Sequence, residues 1–479
     1  VTIDELATSA ARRIVLVNPP VVVADRVQLD YYADAFPFGL YQIRQWLRNM
    51  GHHADIADMM AYGKHTKTWD QLVACGELTP LEAMPAGPPG THLPVWRYGS
   101  TVEWLGDWFD SHEEPDEVWV SCSMLFNSDQ AHEVISATRR RFPSALIRFG
   151  GGYPSLLPMD AARSGANDVH RGRLYAADRV QPELDGMPGI LHFVPFRLTT
   201  GCPNRCAFCL NGRDQMVQHD VDSVLGFIRH TRETRGIRHF NNWDPNVLRF
   251  KPHLRSFLSS LSTLNLDVAL RFDMGLEPPL LDREFIELLS TSHVEAFSVP
   301  FETANPTLAG LFGKPYTIIS SIRALDRLSV MKDRLFECHG TYVFGVPDED
   351  LVDLFCTYHV IRAFGLRSTP FPLAVLPESP LFDRYGHLLE GRPYAHYNGH
   401  LFPLIQERSR AALYRRLLDL LTTENPLVAD AKAATLPEES AEAYARGKSM
   451  ALALIDAALE STEPDSVALL ERFHKAIHR

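Results

Sequence analysis

Three cysteines, Cys202, Cys206 and Cys209, within Gly-Cys-Pro-Asn-Arg-Cys-Ala-Phe-Cys, constrain this chain more than any other feature. Thiolates at this spacing can hold three irons of a 4Fe-4S cube and leave the fourth iron open to a substrate or cofactor. Gly201 and Pro203 make the segment a loop that can wrap a cluster, where a helix would splay the sulfurs apart. A zinc site would ordinarily show a second CxxC or a pair of histidines, and neither follows at a suitable distance. Seven cysteines in 479 residues, an odd and sparse count, do not make a disulfide framework. Cys75, Cys122, Cys338 and Cys356 are scattered singly and read as small buried residues, with Cys338 and His339 side by side ahead of a strand.

Around this loop the chain alternates strand and helix. Ile14-Val15-Leu16-Val17 reads as a buried parallel strand ended by Asn18-Pro19-Pro20. Leu40, Ile43 and Leu47 fall at helical spacing and Gly51 stops the helix. Strands follow at 54–57, 117–121 and 146–149, the last running into Gly150-Gly151-Gly152, which is the pattern of a doubly wound α/β domain. A second series begins at Val194–Thr200 and continues through 237–240, 268–272, 296–300, 340–344 and Leu373–Leu376. These are six strands of a partial (β/α) barrel, with the cysteine loop at the carboxyl end of the first, where barrel active sites lie. Beyond Gly386 the composition turns to Leu, Ala, Arg and Glu at helical spacing, as in 411–421 and 449–459, for stripes that cover the barrel or pair subunits. The expected organisation is a Rossmann-like domain over 1–190, a barrel over 191–386 and a helical region over 387–479. His396 and His400 read as surface histidines, with a lid over the substrate as the other reading.

The net charge of −12 disfavours a nucleic-acid partner and suits a cationic substrate. No apolar run is long enough to span a bilayer and no signal-peptide pattern precedes the first strand, so a cytoplasmic protein without a membrane partner is expected.

The CxxxCxxC spacing, with Phe208 just before the last cysteine, resembles the signature of radical S-adenosylmethionine (radical SAM) enzymes. The residues Val17-Asn18-Pro19-Pro20, Gly39-Leu40 and Gly150-Gly151-Gly152-Tyr153-Pro154-Ser155 look like the cobalamin-binding domain that precedes many radical SAM barrels. Two departures stand out. The family's Arg-Gly-Glu-Gly-Glu segment is replaced by Val169-His170-Arg171-Gly172-Arg173-Leu174, and the connector reaches Met187-Pro188-Gly189 quickly. An Asp-x-His-x-x-Gly cobalt-ligand motif is absent as well, although this class often lacks it. The changes imply a domain kept as scaffold without cobalamin, with corrinoid binding as the alternative.

The resemblance also implies a set of SAM contacts. Asn241, Asn242 and Asp244 end the second barrel strand, where relatives meet the methionine amino group. Arg271 could pair with the SAM carboxylate, the other reading being an Arg271–Glu302 ion pair at the barrel mouth. Glu302, followed by Lys314, could take the ribose hydroxyls or the ammonium. Tyr342 and Gly345 lie in Gly-Thr-Tyr-Val-Phe-Gly-Val-Pro, which resembles the fifth-strand segment bordering adenine. In Leu-Pro-Glu-Ser-Pro-Leu-Phe, Glu378 takes the place of the family's glycine and is a candidate for gripping an amine.

The chemistry implied is cleavage of SAM to a 5′-deoxyadenosyl radical that abstracts a substrate hydrogen. The chain is most similar to the radical SAM diol-dehydratases of aminoglycoside (apramycin) biosynthesis. That likeness implies abstraction at C4′ of the amino sugar paromamine, loss of the C3′ hydroxyl, a flavodoxin- or ferredoxin-type electron donor, and an NADPH-dependent reductase for the product. Asp214, Asp244, Asp273 and Glu378 are the candidate acids. A cobalamin-dependent methyltransferase or cyclase of another natural product, and a SAM-binding scaffold without chemistry, are the other readings.

Overall fold

The computed structural model describes residues 10–34, 36–60, 67–81, 84–85, 92–93, 95–185, 187, 191, 193–330, 337–347 and 349–460. Pro188 and Gly189 of the short connector lie outside them. The chain divides into two compact units, one of residues 1–194 with Gly386–Pro403, the other of 195–385 with 404–479.

The first unit is built on five parallel strands: β1 (Arg13–Asn18), β2 (His53–Asp58), β3 (Glu117–Ser121), β4 (Leu146–Gly150) and β5 (Asp168–Val169). Their order, β5-β4-β3-β1-β2, is the doubly wound arrangement in which the connection reverses direction between β1 and β3. Ile14 to Val17 are all 2% exposed or less, as a central strand covered on both faces requires. Helix α1 (Phe38–Asn49) turns Leu40 and Leu47 onto that sheet and ends before Gly51, whose φ of +87° suits only glycine without strain. Helix α2 (Ser128–Arg141) connects β3 to β4.

Gly386–Pro403 rejoins this unit as short 3-10 turns, Tyr394–Tyr397 and Gly399–Leu401. His396 is 5% exposed and His400 Nδ1 stands 2.7 Å from Asp25, so neither is a surface histidine.

The second unit carries six strands: β6 (Val194–Phe196), β7 (His239–Asn242), β8 (Ala269–Phe272), β9 (Val294–Glu302), β10 (Glu337–Phe344) and β11 (Arg367–Pro372). They lie in chain order, parallel from β7 to β11, and the sheet stays open between β6 and β11 as a partial barrel. Helices α3 (Val221–Arg235), α4 (Lys251–Thr263), α5 (Arg283–Thr291), α6 (Pro306–Phe312), α7 (Ile318–Ser329) and α8 (Leu351–Ala363) fill the connections. The first strand is shorter than expected, because Thr199–Thr200 leaves the sheet to pair antiparallel with Val217–Gln218. The sixth is Arg367–Pro372 rather than Leu373–Leu376. Its prolines are tolerated because β11 is an edge strand, while the apolar run beyond it is a loop. Helices α9 (Arg408–Leu421), α10 (Pro426–Ala433) and α11 (Glu438–Glu460) complete the unit, with α11 packed along α8. No described helix is long and apolar enough to cross a membrane.

Candidate functional site

Cys202, Cys206 and Cys209 all line one cavity of about 390 Å³ at the carboxyl end of the open barrel. The loop that carries them is pinned at its centre: Ala207 N–H donates to Phe312 O at 2.8 Å, and Ala207 O accepts from Leu381 N–H at 3.1 Å. Gly201 (φ +77°) starts the loop where a Cβ would stand 2.6 Å from Gln215 O, so only glycine fits. Burial pushes the Cys206 thiol up to about 11 and raises Cys209 as well, while Lys314 pulls both down. Among the described residues no three of His, Cys, Asp and Glu converge tightly enough for a single metal ion. An iron–sulfur cube takes one cysteine per iron, so its sulfurs stand farther apart than the ligands of one ion. Three thiols on one pinned loop, facing one cavity, fit that donor set.

Across the cavity Glu302 ends β9 after a register shift between Pro300 and Glu302, and its φ of +69° is left-handed. Its carboxylate pairs with Lys314 Nζ at 2.5 Å. Burial works against the Lys314 charge, but Glu302, Tyr316 and Cys206 together outweigh burial and raise the pKa. The ammonium also lies 5.3 Å from the ring centroid of Phe208, which lines the cavity, and 5.6 Å from that of Tyr316.

Glu277, 5% exposed, forms a clamp that sequence reasoning did not find. It accepts from Asn246 Nδ2 at 2.7 Å, Asn204 Nδ2 at 3.1 Å and Arg249 Nη2 at 2.6 Å, tying the cysteine loop to the loops after β7 and β8. The only sequence signal was an asparagine inside the cysteine motif.

The expected SAM and acid residues separate. Glu302 and Phe208 line the cavity; Asn241, Asn242, Arg271, Tyr342 and Gly345 do not. Tyr342 is fully buried with its hydroxyl 3.1 Å from Ser368 Oγ, while its neighbours Thr341 and Val343 face the cavity. Arg271 pairs with Asp273 at 3.1 Å and Glu337 at 3.4 Å, so the Arg271–Glu302 pair does not form. Asn241 donates to Asp273 at 3.0 Å. Asn242, 1% exposed, accepts from the Asp244 N–H at 3.3 Å.

Asp244 is 1% exposed and accepts from Leu198 N–H at 2.9 Å and Thr199 Oγ1 at 2.8 Å; burial raises it to about 7. It therefore holds the segment leading into the cysteine loop. Asp214 is half-buried at the far end of that loop, and Glu378 is exposed with φ +68°; neither lines the cavity.

In the first unit the crevice at the β1/β3 reversal is where a doubly wound fold takes a ligand. Here the chain itself fills it. Val22, just past β1, donates its N–H to Asn127 Oδ1, just past β3, at 2.8 Å. Leu401 (1% exposed) packs on Val22 and Val95, Asn398 exchanges two hydrogen bonds with Gln28 at 3.0 and 3.2 Å, and Tyr394 lies 6.0 Å from Tyr153. A Cβ on Gly151 or Gly152 would strike the backbone carbonyl of Cys122 or Ser123, so these glycines serve chain packing. The residues present do not fit a corrinoid in this crevice.

No protein-family model matches the sequence, and no curated protein matches it. Among solved structures the chain is similar to the radical SAM methyltransferase TsrM from Kitasatospora setae, determined with cobalamin and a 4Fe-4S cluster bound. The identity is 14%, over 81% of each chain, with a TM-score of 0.56. It is also similar to OxsB, a cobalamin-dependent SAM radical enzyme determined with aqua-cobalamin bound, at 12% identity over 99% of this chain and 77% of that one, TM-score 0.53. The chain thus has the fold of these two enzymes, a Rossmann-like domain joined to an open α/β barrel.

Proposed function

We propose that the chain is a radical SAM enzyme that removes water from a vicinal diol on a cationic amino sugar of the paromamine type. The convergence of Cys202, Cys206 and Cys209 on one cavity opposite Glu302 and Lys314 carries this reading. Bound there, a 4Fe-4S cluster and SAM supply a radical that takes a hydrogen atom from substrate carbon. The three cysteines hold the cluster, and Ala207 and Glu277 keep their loop in place. Of the expected SAM set Glu302 and Phe208 face the cavity, and Glu302 takes the ribose or the ammonium. Asn241, Arg271 and Asp273 form a polar chain on the inner side of the sheet, where barrels are ordinarily packed with branched apolar side chains. Such a lining suits a polyhydroxylated substrate, and the charge of −12 suits a cationic one. A flavodoxin- or ferredoxin-type protein would supply electrons and an NADPH-dependent reductase would take the product. The first unit acts as scaffold, since its own chain occupies the crevice.

The fold shared with a methyltransferase favours a second reading, methyl transfer. Anaerobic incubation of iron–sulfur-reconstituted protein with SAM, a reductant and an aminoglycoside panel separates the two by mass spectrometry. The expected outcome is 5′-deoxyadenosine together with a product lighter by one water. A product heavier by a methyl group, or no 5′-deoxyadenosine, overturns the proposal.

A further inference from the structure

Three side chains of the second unit stand in line on the inner face of β10 and β11. Glu337, His339, Thr341 and Val343 alternate along β10, and the last two line the cavity, so the first two share that face. His339 Nε2 is 2.6 Å from Glu337 Oε1, and His339 Nδ1 is 3.0 Å from Thr369 Oγ1. Thr369 is the cross-strand partner of Thr341, and Phe371, two residues on, lines the cavity too. The hydroxyl therefore sits one step from the cavity wall, with the imidazole and carboxylate behind it.

The charges around this line fix the hydrogen on one imidazole nitrogen. Glu337 also receives Arg367 at 2.7 Å and Arg271 at 3.4 Å. The hydrogen bond from His339, helped by these two guanidinium groups, holds its carboxyl down at about 2. Arg271 in turn meets Asp273 at 3.1 Å and Glu295 at 3.9 Å, and Ser298 of β9 lies beside His339 in register. An ionised carboxylate only accepts hydrogen bonds, so His339 Nε2 must carry the hydrogen. In the neutral ring Nδ1 is then the acceptor, and the Thr369 hydroxyl donates to it. A hydroxyl so oriented keeps a lone pair for a proton arriving from the cavity.

We propose that Thr369, His339 and Glu337 form a proton relay that serves water loss from the substrate. This rests on the function proposed above. After hydrogen abstraction the substrate carbon carries an unpaired electron and a hydroxyl group. The proton of that hydroxyl passes to Thr369 Oγ1 as Thr369 passes its own to His339 Nδ1, and Glu337 steadies the imidazolium. The neighbouring C–O bond then breaks with its electron pair. The departing hydroxide takes the proton back through Thr369 and leaves as water, giving a carbonyl with the unpaired electron on the adjacent carbon. Protons and electrons balance within the step, and no oxidant or reductant enters it. Thr369 is the member of the line nearest the cavity and so the one to exchange a proton with substrate, and His339 and Glu337 act through it.

The test uses the reconstituted holoenzyme with SAM, reductant and paromamine, and scores 5′-deoxyadenosine and dehydrated product separately. Thr369→Val is expected to keep 5′-deoxyadenosine formation within about threefold while dehydrated product falls about a hundredfold. His339→Gln is expected to behave alike, and the double variant no worse than either single one. Thr369→Ser, which restores the hydroxyl, is expected to return product to within about threefold of wild type. Unchanged product in Thr369→Val, or equal losses of product and 5′-deoxyadenosine, overturns the relay. A wild-type protein that forms no 5′-deoxyadenosine with amino sugars overturns the substrate reading instead. The relay is then decided by the nitrogen-15 spectrum of His339. A single Nε2–H tautomer that becomes mixed in Glu337→Gln supports it, and a mixed wild-type population sinks it.

Discussion

Asp244 was a candidate acid from its place in the sequence, and its surroundings give it another task. Its carboxyl is buried beneath the start of the cysteine loop and titrates at about 7, mainly because burial penalises the charge. In the unfolded chain the same group titrates at about 3.9. Between these values the folded state holds the proton and the unfolded state does not. Stability from Asp244 is therefore full below about pH 4 and is lost as pH rises through about 7. Asp244→Asn keeps an oxygen for the Leu198 N–H and removes the charge. The variant is expected to lose less stability than wild type between about pH 5 and about pH 8, measured by urea unfolding at each pH. Parallel curves for the two proteins would refute this. Glu378 shows how far residue type can be read: its place in a family glycine position anticipates its left-handed φ of +68°, but not that its side chain lies away from the cavity.

At the scale of elements, two helical glycines carry opposite expectations. On α11, Gly447 lies against α8 so closely that a Cβ would stand 2.6 Å from Phe355 Cβ and 2.9 Å from Cys356 N. Gly447→Val must push the two helices apart and is expected to cost about 2 kcal/mol or more. Gly226, inside α3, has no atom within 4 Å of a Cβ position, so Gly226→Ala is expected to add about 0.5–1 kcal/mol. Thermal unfolding of the two variants checks both signs, and a stabilised Gly447→Val would contradict the packing. Spacing placed a helix over 449–459, within α11, but could not say which glycine touches a neighbour. The same limit explains the strands. Fully buried β1, β3 and β4 were legible as apolar runs, whereas β11 has the sequence Arg-Ser-Thr-Pro-Phe-Pro and hid behind the apolar loop that follows it. The cysteine loop and Glu302 were readable because their signals are local. The Glu277 clamp and the Thr369–His339–Glu337 line were not, because each joins residues that meet only across strands or loops.

At the scale of the whole molecule, the first unit is completed by a segment that follows the last barrel strand in sequence. Residues 394–402 bring Ala395, Asn398, Leu401 and Phe402, each 3% exposed or less, into a unit whose other residues end at 194. A fragment of residues 1–194 should therefore leave the β1/β3 crevice without Leu401 on Val22 and without the Asn398–Gln28 pair. It is expected to unfold at lower temperature than the same unit in the full chain. Adding a peptide of residues 386–403 should raise its midpoint with peptide concentration, as any ligand of the folded state does. Asn398→Ala in the peptide should weaken the effect by about tenfold in concentration, because Gln28 Nε2 would be left buried without the Asn398 oxygen that accepts from it. The full chain carries this segment covalently, at an effective concentration that a free corrinoid must overcome. Hydroxocobalamin mixed with the full-length protein is accordingly expected to separate from it on gel filtration, with no corrinoid absorbance in the protein peak. Co-elution at one corrinoid per chain would show that the segment yields and that this chain takes a corrinoid, as the structures of TsrM and OxsB do.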